Sequence, residues 1–216
     1  MLHIVIATRN RHKFRELKTL LVVRGVRWYS LAECAGLRPV KESGRTFDAN
    51  AGKKARAIAR ATGHLALADD SGIEVEALGC GPGVRSARFA GRHGDDAANN
   101  RKLLRALRGL PPSRRRARYR CSLALAEPSG AIVITHGTWD GRIASRMAGR
   151  GGFGYDPIFL VPRFGKTVGQ LPAAVKAAFS HRAMAARRMR RILHRLIVAP
   201  RRTGSAGNRP DRGRAA

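Results

Sequence analysis

The sequence predicts an α/β fold, and three observations support this prediction. The chain begins with an apolar strand over residues 2–7, followed by a short polar loop and an amphipathic helix. Many α/β proteins start with this order of elements. A long helix then leads into an apolar strand at residues 65–68. Finally, two strand-like runs, 119–126 and 131–139, flank a Glu-Pro-Ser-Gly turn and predict a β-hairpin.

The loop after the first strand contains Thr8, Asn10 and Lys13. Such a loop presents backbone N–H groups at the start of a helix, with a lysine one turn further on, and this arrangement suits a phosphate. A plain helix cap by Thr8 or Asn10 explains the same residues equally well. The buried face of the helix is expected to consist of Phe14, Leu17, Leu20 and Leu21.

A second strand is predicted at residues 26–31, and Thr46 is predicted to cap a helix that extends to about residue 61. Asn50 and Lys54 are four residues apart, so they share one face of this helix. Its buried face is expected to consist of Phe47, Ala51, Ala55, Ile58 and Ala59.

Two neighbouring carboxylates, Asp69 and Asp70, follow the apolar run at residues 65–68 and precede a Ser-Gly pair that is typical of a turn. Carboxylates where a strand meets its exit loop are well placed to bind Mg²⁺ or to accept a proton from water. A solvated turn is the alternative, because Asp, Ser and Gly are ordinary turn residues.

The rest of the chain contains further predicted elements. A Gly-rich loop covers residues 79–83, and a helix covers residues 97–107. The basic run at residues 114–118 is interpreted as solvated surface, with a nucleic-acid site as the alternative. Ser180 is predicted to cap the last helix, whose inner face is expected to contain Ala185, Met189, Ile192, Leu193 and Leu196. We predict one domain over residues 1–197 and a disordered tail over 198–216, which is rich in Pro, Gly, Arg and Ser.

Two glycine-containing motifs are rejected because of their context. Gly149, Gly151 and Gly154 spell G-x-G-x-x-G, but Pro157 and a strand-like run follow them, whereas a dinucleotide fingerprint must open a helix. The Gly-Lys-Thr sequence at residues 165–167 imitates the end of a P-loop, but a Leu occupies the position of that motif's first glycine.

The formal net charge of +29 results from 35 Arg and 8 Lys against 14 acidic residues, and it suggests an anionic partner such as a nucleotide, a nucleic acid or an anionic membrane. Drift in base composition is an alternative source of the excess of Arg over Lys. The Arg residues are distributed along the whole chain, and the few aromatic residues do not alternate with them as base-stacking platforms require. A basic nucleic-acid-binding protein without hydrolase activity is therefore the alternative class, and nucleic acid is not the expected partner.

Cys34, Cys80 and Cys121 lack Cys-x-x-Cys spacing and are interpreted as free thiols, which argues against a disulfide framework or a zinc site. No apolar run reaches the length of a membrane span, and the order of apolar and basic residues at the N-terminus differs from that of a signal peptide. We therefore expect a cytoplasmic protein without a membrane partner.

Four polar groups alternate with the buried elements of the predicted fold. They are residues 8–13, Asn50 with Lys54, Asp70 with Ser71, and Lys176 with residues 180–182. Three groups supply cations and N–H donors, and one supplies carboxylates. A triphosphate with Mg²⁺ needs this combination, because the metal offsets charge repulsion and activates water while Lys and Arg hold the remaining oxygens. Spacing alone does not show that the four groups converge, but the pattern is compatible with a nucleotide hydrolase.

Six segments follow one another in the order found in a known family. They are Thr8-x-Asn10-x-x-Lys13, Gly44-x-Thr46-Phe47-x-x-Asn50-Ala51-x-x-Lys54-Ala55, Ala68-Asp69-Asp70-Ser71-Gly72, Pro82-Gly83-Val84-x-Ser86-Ala87-Arg88, Gly152-Phe153-Gly154-Tyr155-Asp156-Pro157-Ile158-Phe159 and Ser180-His181-Arg182. On these segments, which extend over roughly residues 3–195, the chain resembles the inosine triphosphate pyrophosphatase family of house-cleaning enzymes for non-standard purine nucleotides.

The resemblance implies hydrolysis of inosine, deoxyinosine or xanthosine triphosphate to the monophosphate and pyrophosphate, with Mg²⁺ as cofactor. It also implies a homodimer built on a long mixed central sheet flanked by helices, with two lobes and the active cleft between them. By position, Asp70 would be the proton acceptor and a metal ligand. The substrate-binding residues would be Thr8, Arg9, Asn10, Arg11, His12, Lys13, Lys54, Ser71, Phe153, Gly154, Tyr155, Asp156, Lys176, His181 and Arg182.

Within that resemblance, Phe153 would be available to stack on the base, and His181, Arg182 or a backbone N–H would donate to the six-keto oxygen of the purine. Many relatives have an acidic residue where this chain has Lys41, and whether the neighbouring Glu42 replaces it stays open. A catalytically inactive relative of the same fold is a further alternative. The joint presence of the predicted base and its cationic neighbours argues against it.

Two basic residues also depart from the family pattern. Arg9 and Arg11 stand where small residues are common, so the N-terminal loop is expected to be more crowded or more cationic than in relatives.

Overall fold

The computed structural model of the protein describes residues 1–34 and 36–198. Its strands are β1 Leu2–Ile6, β2 Val26–Ser30, β3 Leu65–Val75, β4 Gly81–Pro82, β5 Arg116–Ala126, β6 Ile132–Ile143, β7 Phe159–Val161 and β8 Lys166–Thr167. Its α-helices are α1 Arg11–Leu20, α2 Phe47–Thr62, α3 Asp96–Ala106, α4 Ala173–Phe179 and α5 His181–Val198. The predicted tail lies, from residue 199 onward, outside the described residues.

The predicted α/β fold with a long mixed sheet is confirmed. The strands follow the order β2-β1-β3-β5-β6-β7-β8, and β4 pairs with β3 outside this order. β1 is parallel to β2 and β3, whereas the other neighbouring strands pair antiparallel. The predicted hairpin is β5–β6, which begins earlier and ends later than its sequence pattern indicates. The short helix α4 has no counterpart in the sequence-based prediction.

The strand that carries the two neighbouring carboxylates is longer than predicted. The predicted turn at Ser71 and Gly72 is wrong, because β3 continues through both residues to Val75 and pairs there with β5. Gly72 is required at this point, since a Cβ atom would overlap the backbone carbonyl oxygen of Gly83 as well as the hydroxyl oxygen of Ser86. β1 pairs with β3 only as far as Leu67. The carboxylates therefore lie in mid-strand, but just past the end of the neighbouring strand.

Apolar side chains form three clusters around the sheet. Two of them cover opposite faces at the β1 end, where α2 contributes an alanine-rich face and α1 and α5 contribute larger side chains. The third lies at the other end, where Leu103 of α3 packs with Ile73 and Val75 of β3. Residues 69–72 of β3 lie between these regions, so the polar stretch marks a cleft between two lobes.

Polar caps begin the helices that border this cleft. Asn10, rather than Thr8, caps α1, because its side chain accepts hydrogen bonds from two N–H groups of the first turn. Thr46 caps α2 as predicted, and the Ser180 hydroxyl accepts a hydrogen bond from an N–H group in the first turn of α5. These caps fix the points at which the chain enters each helix.

The inner face of α5 follows the prediction at Ala185, Met189 and Leu193, which are buried. The prediction for Leu196 is wrong, because its side chain is 39% exposed. Ile197 packs against the core in its place.

One arginine of the basic run at 114–118 is not solvated surface. Arg115 is 8% exposed, and its guanidinium donates hydrogen bonds to the carbonyl oxygens of Leu107, Leu110 and Ala144. This arginine satisfies three backbone acceptors and joins the end of α3 to the end of β6. The sequence pattern of consecutive arginines could not reveal this role.

Neither of the rejected glycine motifs opens an α-helix. The strand β7 follows the first motif, and the second ends in β8, after which only a three-residue 3₁₀-helix, Val168–Gln170, follows. The three cysteines are unpaired in the part of the chain that is described. Among the same residues, no helix combines the length and apolar character needed to cross a membrane.

Candidate functional site

A cavity of about 580 Å³ opens beside β3, close to the end of β1. The loop after β1, the segment before α2, α2 itself, β3 and the segment after β4 all contribute to its wall. Its charged and polar lining residues are Thr8, Arg9, Asn10, Lys13, Arg38, Lys41, Glu42, Lys54, Asp69, Asp70, Ser71, Arg88 and His93.

Asp69 is the centre of the ion pairs beside this cavity. It is 1% exposed, and its carboxylate accepts from Lys13 Nζ at 2.5 Å and from Arg182 Nε at 2.9 Å. The Ser71 hydroxyl and the Cys121 thiol donate to the same carboxylate. Burial alone would raise the pKa of Asp69, but Arg182 and Lys13 outweigh it and hold the pKa well below its usual range. Asp69 is therefore ionised, and its carboxylate oxygens are occupied by these donors.

Asp70 points to the opposite face of β3, as successive residues of a strand do, and has a different environment. Its nearest cation is Lys54, whose Nζ lies 3.8 Å from Oδ1. Its Oδ2 is buried and has no hydrogen-bond partner among the described residues. Burial raises the pKa of Asp70 to about 6, although Lys54 and Lys13 oppose the shift. A carboxylate with a free oxygen and a pKa in this range suits a proton acceptor.

Lys54 connects three parts of the cavity wall. Its Nζ donates to Glu42 Oε1 at 2.6 Å and to the backbone carbonyl oxygen of Asp69 at 2.7 Å. Burial would raise the pKa of Glu42, but Lys54 outweighs it and the pKa is lowered. Glu42 is therefore an ionised carboxylate that shares one lysine with Asp70.

The helices α4 and α5 bring two further predicted cations to the far side of Asp69. Arg182 pairs with Glu16 through Nη1 at 2.5 Å, in addition to its bond with Asp69. Lys176 Nζ lies 2.8 Å from Glu16 Oε1 and 2.5 Å from Asp156 Oδ2. Cations and carboxylates thus alternate along the wall, and the protein neutralises these cations internally.

Phe153 packs against this row of charges. The ring of His12 stacks on it with centroids 5.1 Å apart and an interplanar angle of 16°. Lys176 Nζ lies 4.4 Å from the centroid of the Phe153 ring, and Arg182 Cζ lies 5.7 Å from it. A base that stacks on the His12 side of this ring must displace His12.

The residues that follow Phe153 fix their own loop. The Gly154 N–H donates to Asp96 Oδ2 at 2.7 Å, and the Tyr155 hydroxyl donates to the carbonyl oxygen of Ser86 at 2.8 Å. Both Tyr155 and Asp156 are buried. The structure therefore places these predicted site residues in the wall beside Phe153, held by protein contacts.

His181 lies in the first turn of α5 and is 4% exposed. Its ring stacks on Tyr119 with centroids 4.6 Å apart, and its Nδ1 has no hydrogen-bond partner among the described residues. Burial lowers the pKa of His181 well below its usual value, and Arg182 adds to the effect. The imidazole is therefore neutral.

The predicted site residues fall into two groups around Asp69. Those that line the cavity are Thr8, Arg9, Asn10, Lys13, Lys54, Asp70 and Ser71. Those that lie outside its lining are Arg11, which lines a second cavity, and His12, Phe153, Gly154, Tyr155, Asp156, Lys176, His181 and Arg182. The ion pairs of Asp69 with Lys13 and Arg182 join the two groups.

Sequence reasoning missed several residues of this region. Glu16 follows Lys13 by three positions on a predicted helix, and this spacing could have indicated that it lies on the same face. Arg88 ends one of the six segments, yet its position in the cavity wall was not predicted. Arg38 and Cys121 have no sequence pattern that distinguishes them.

The donor set fits a Mg²⁺ ion only together with a phosphate ligand. No group of three or more His, Cys, Asp and Glu side chains within residues 1–34 and 36–198 could hold a metal alone. Mg²⁺ commonly binds through one or two carboxylates plus substrate phosphates. The unpartnered Oδ2 of Asp70, with Glu42 beside the same lysine, matches that pattern.

Known proteins similar to this chain agree with the resemblance found in the six segments. A family model described as the Ham1 family matches residues 4–192. A Desulforamulus reducens protein named dITP/XTP pyrophosphatase is 49% identical over 195 residues, which cover 90% of this chain and 97% of that protein. A Rhodopirellula baltica protein with the same name is 45% identical over 188 residues, which cover 87% of this chain and 90% of that protein. The solved structure of a HAM1 protein from Coxiella burnetii is 41% identical, with a TM-score of 0.83 over 90% of this chain and 99% of that chain.

Proposed function

Because this chain belongs to the Ham1 family, we propose that it hydrolyses the triphosphates of inosine, deoxyinosine and xanthosine to the monophosphate and pyrophosphate. This activity would keep non-standard purines out of DNA and RNA. The names of the similar proteins, dITP/XTP pyrophosphatase, support the substrate class. The observation that carries the proposal is Asp70, a buried carboxylate with one unpartnered oxygen in a cavity lined by cations.

In this proposal Asp70 accepts a proton from the water that attacks the α-phosphorus. Lys54, 3.8 Å from its carboxylate, stabilises the ionised form and is held in place by Glu42 and the backbone of β3. Arg9, Arg38 and Arg88 line the cavity and supply donors for the phosphate oxygens. The bond between the α-phosphorus and its β-bridging oxygen breaks, and pyrophosphate leaves.

Mg²⁺ belongs to the proposal: Asp70 would hold it together with the substrate phosphates, and Glu42 would be the second carboxylate beside it. When bound, the ion supplies positive charge that offsets repulsion between the phosphates and keeps Asp70 ionised.

The proposed preference for inosine and xanthosine rests on the six-keto oxygen of these bases. A donor near Phe153, from a backbone N–H, His181 or Arg182, would pair with this oxygen and leave the amino group of adenine without a partner. A polar site of this kind can discriminate by roughly 10⁴-fold. Arg182 makes bonds to Glu16, Asp69 and Ser71 in the structure, so it would have to exchange one of them to reach a base.

The resemblance supports a homodimer, and the cysteines, which are unpaired among the described residues, support a reducing, cytoplasmic location; we propose both. Sedimentation equilibrium of the purified protein tests the first, and a mass of one chain at micromolar concentration would reject it.

The proposed activity is tested with a nucleotide panel in which pyrophosphate and orthophosphate are detected separately. With Mg²⁺, the protein should release pyrophosphate from inosine and xanthosine triphosphates much faster than from ATP or GTP. Equal rates on all purines would reject the specificity, and release of orthophosphate would reject the cleavage position. Steep salt-dependent binding of duplex DNA without any hydrolysis would favour the nucleic-acid-binding alternative.

A further inference from the structure

A second cavity, of about 650 Å³, adjoins the proposed catalytic cavity. The two share the wall formed by Thr8, Arg9, Asn10, Leu31 and Leu37. The volume lies in the range of about 300–1,000 Å³ that is usual for ligand sites. The second cavity is therefore large enough for several atoms of a ligand that enters from the first.

The chemistry of the second cavity favours an anion. Arg9, Arg11 and Arg15 line it, and its lining contains no Asp or Glu among the described residues. None of these three guanidinium groups lies within 4.0 Å of a described carboxylate. They contrast with Lys13, Lys176 and Arg182, which are neutralised by carboxylates.

The second cavity also lies on the side of α1 away from the predicted base-binding residues. Arg11, Phe14 and Arg15 occupy positions i, i+3 and i+4 of the helix and form its face toward the cavity. His12 and Glu16 lie on a different face and contact Phe153 and Lys176. A nucleotide that enters at Phe153 and passes Asp70 would therefore direct the end of its phosphate chain toward this cavity.

We propose that the second cavity binds phosphate groups beyond the third, so that the substrate class extends to nucleoside 5′-tetraphosphates. This inference rests on the proposed function. Water attacks the α-phosphorus of inosine 5′-tetraphosphate, and the bond from that phosphorus to the β-bridging oxygen breaks. Inorganic tripolyphosphate leaves with the bridging oxygen. The oxygen of water stays on inosine monophosphate, and its proton passes through Asp70 to solvent.

The first experiment measures binding without turnover. Calorimetry without divalent metal compares inorganic tripolyphosphate with pyrophosphate in the wild type, in Arg15→Gln and in the matched control Arg105→Gln. Arg105 is an exposed arginine of α3 with no described ion pair, like Arg15 on α1. The wild type and the control should bind tripolyphosphate about tenfold more tightly than pyrophosphate, and Arg15→Gln should lose most of this difference.

The second experiment measures turnover of the two inosine substrates. The ratio of KM for the tetraphosphate to KM for the triphosphate should rise about five- to tenfold in Arg15→Gln and stay constant in Arg105→Gln. Equal affinities for the two inorganic anions, or equal effects of both substitutions, would overturn the inference. If the triphosphate is hydrolysed normally while the tetraphosphate is rejected, the inference alone fails. If neither is hydrolysed, the proposed function fails, and the binding comparison still tests the cavity.

Discussion

Asp69 and Asp70 are neighbours in sequence, yet their surroundings drive their pKa values in opposite directions. Asp69 faces Lys13 and Arg182 on one side of the sheet, and these cations keep it ionised. Asp70 faces the cavity on the other side, where burial raises its pKa to about 6. Environments that separate the pKa values of two carboxylates also assign them different tasks. Asp69 holds Lys13 and Arg182 in place, and Asp70 keeps a free oxygen that suits a proton acceptor.

Replacement of Asp70 by Asn should abolish most of the activity and stabilise the fold. Loss of a general base lowers kcat by about 10²- to 10⁴-fold. The pKa of Asp70 is higher in the folded protein than its ordinary value of 3.8. The ionised carboxylate therefore destabilises the fold at pH above about 6, and this penalty disappears as the pH falls below about 4.

The difference of about two pKa units corresponds to at most about 3 kcal/mol, so Asp70→Asn should raise the melting temperature at pH 7.5 in EDTA by several degrees. Asp140→Asn, at an exposed aspartate, is the matched control and should change stability by less than about 0.5 kcal/mol. Near-normal turnover of Asp70→Asn would remove Asp70 from the role of base. A lower melting temperature for Asp70→Asn than for the wild type would contradict the claim that the ionised Asp70 carboxylate destabilises the fold.

Arg182→Met should destabilise the fold by about 3–5 kcal/mol, because it leaves Asp69 and Glu16 without their shared buried partner. Urea unfolding monitored by circular dichroism measures the effect. Arg190→Met, at an exposed position of the same helix, provides the control. Similar small losses of unfolding free energy in both variants would show that the ion pairs of Arg182 contribute little to stability.

At the scale of elements, the site depends on how closely α5 approaches the sheet. The first turn of α5 carries His181 and Arg182 and lies directly over Gly137 of β6. A Cβ atom at position 137 would overlap the carbonyl oxygen of His181 and lie 2.8 Å from the backbone nitrogen of Ala185. Backbone atoms cannot rotate away as a side chain can, so glycine is required there.

Gly137→Ala should therefore displace the start of α5, weaken the Arg182–Asp69 ion pair and destabilise the fold by about 1–3 kcal/mol. Hydrogen exchange of the first turn of α5 should increase more than exchange elsewhere. Gly52→Ala is the control, because its Cβ would meet mainly the flexible end of the Ile132 side chain at 3.3 Å. Unchanged exchange at α5 in Gly137→Ala would contradict the close approach.

Sequence patterns predicted the elements better than their exact ends. The spacing of apolar residues located β1, α2 and α5. Thr46 and Ser180 cap the starts of α2 and α5 as predicted. The turn at Ser71 and Gly72 was predicted wrongly, because local composition cannot reveal pairing with a strand about fifty residues later. The helix α4 is short, and its position depends on contacts distant in sequence.

The sequence predicted only part of the candidate site, because the rest depends on contacts between residues that are distant in sequence. The family resemblance located Asp70 and Lys54, and the structure places both in one cavity. Which carboxylate is paired and which is free depends on the face of β3 and on partners from α1 and α5. The buried role of Arg115 and the position of Arg38 likewise depend on tertiary contacts, which a run of arginines does not encode.

At the scale of the whole molecule, the fold separates two kinds of cation. The ion pairs between the lobes use Lys13, Lys176 and Arg182, which pair with carboxylates and hold the wall together. Arg9 and Arg38 line the proposed catalytic cavity and have no ion pair among the described residues. The mixed sheet thus places the Asp70 oxygen that has no partner among the described residues close to cations from distant parts of the chain, and in the proposed mechanism this arrangement directs water to a phosphate.

Hydrolysis of inosine triphosphate in ¹⁸O-labelled water shows whether the water beside Asp70 attacks the α-phosphorus. Mass spectrometry of the two products shows which phosphorus received the oxygen. We expect one ¹⁸O atom in the inosine monophosphate and none in the pyrophosphate. Label in the pyrophosphate instead would place the attack at the β-phosphorus and rule out the proposed cleavage.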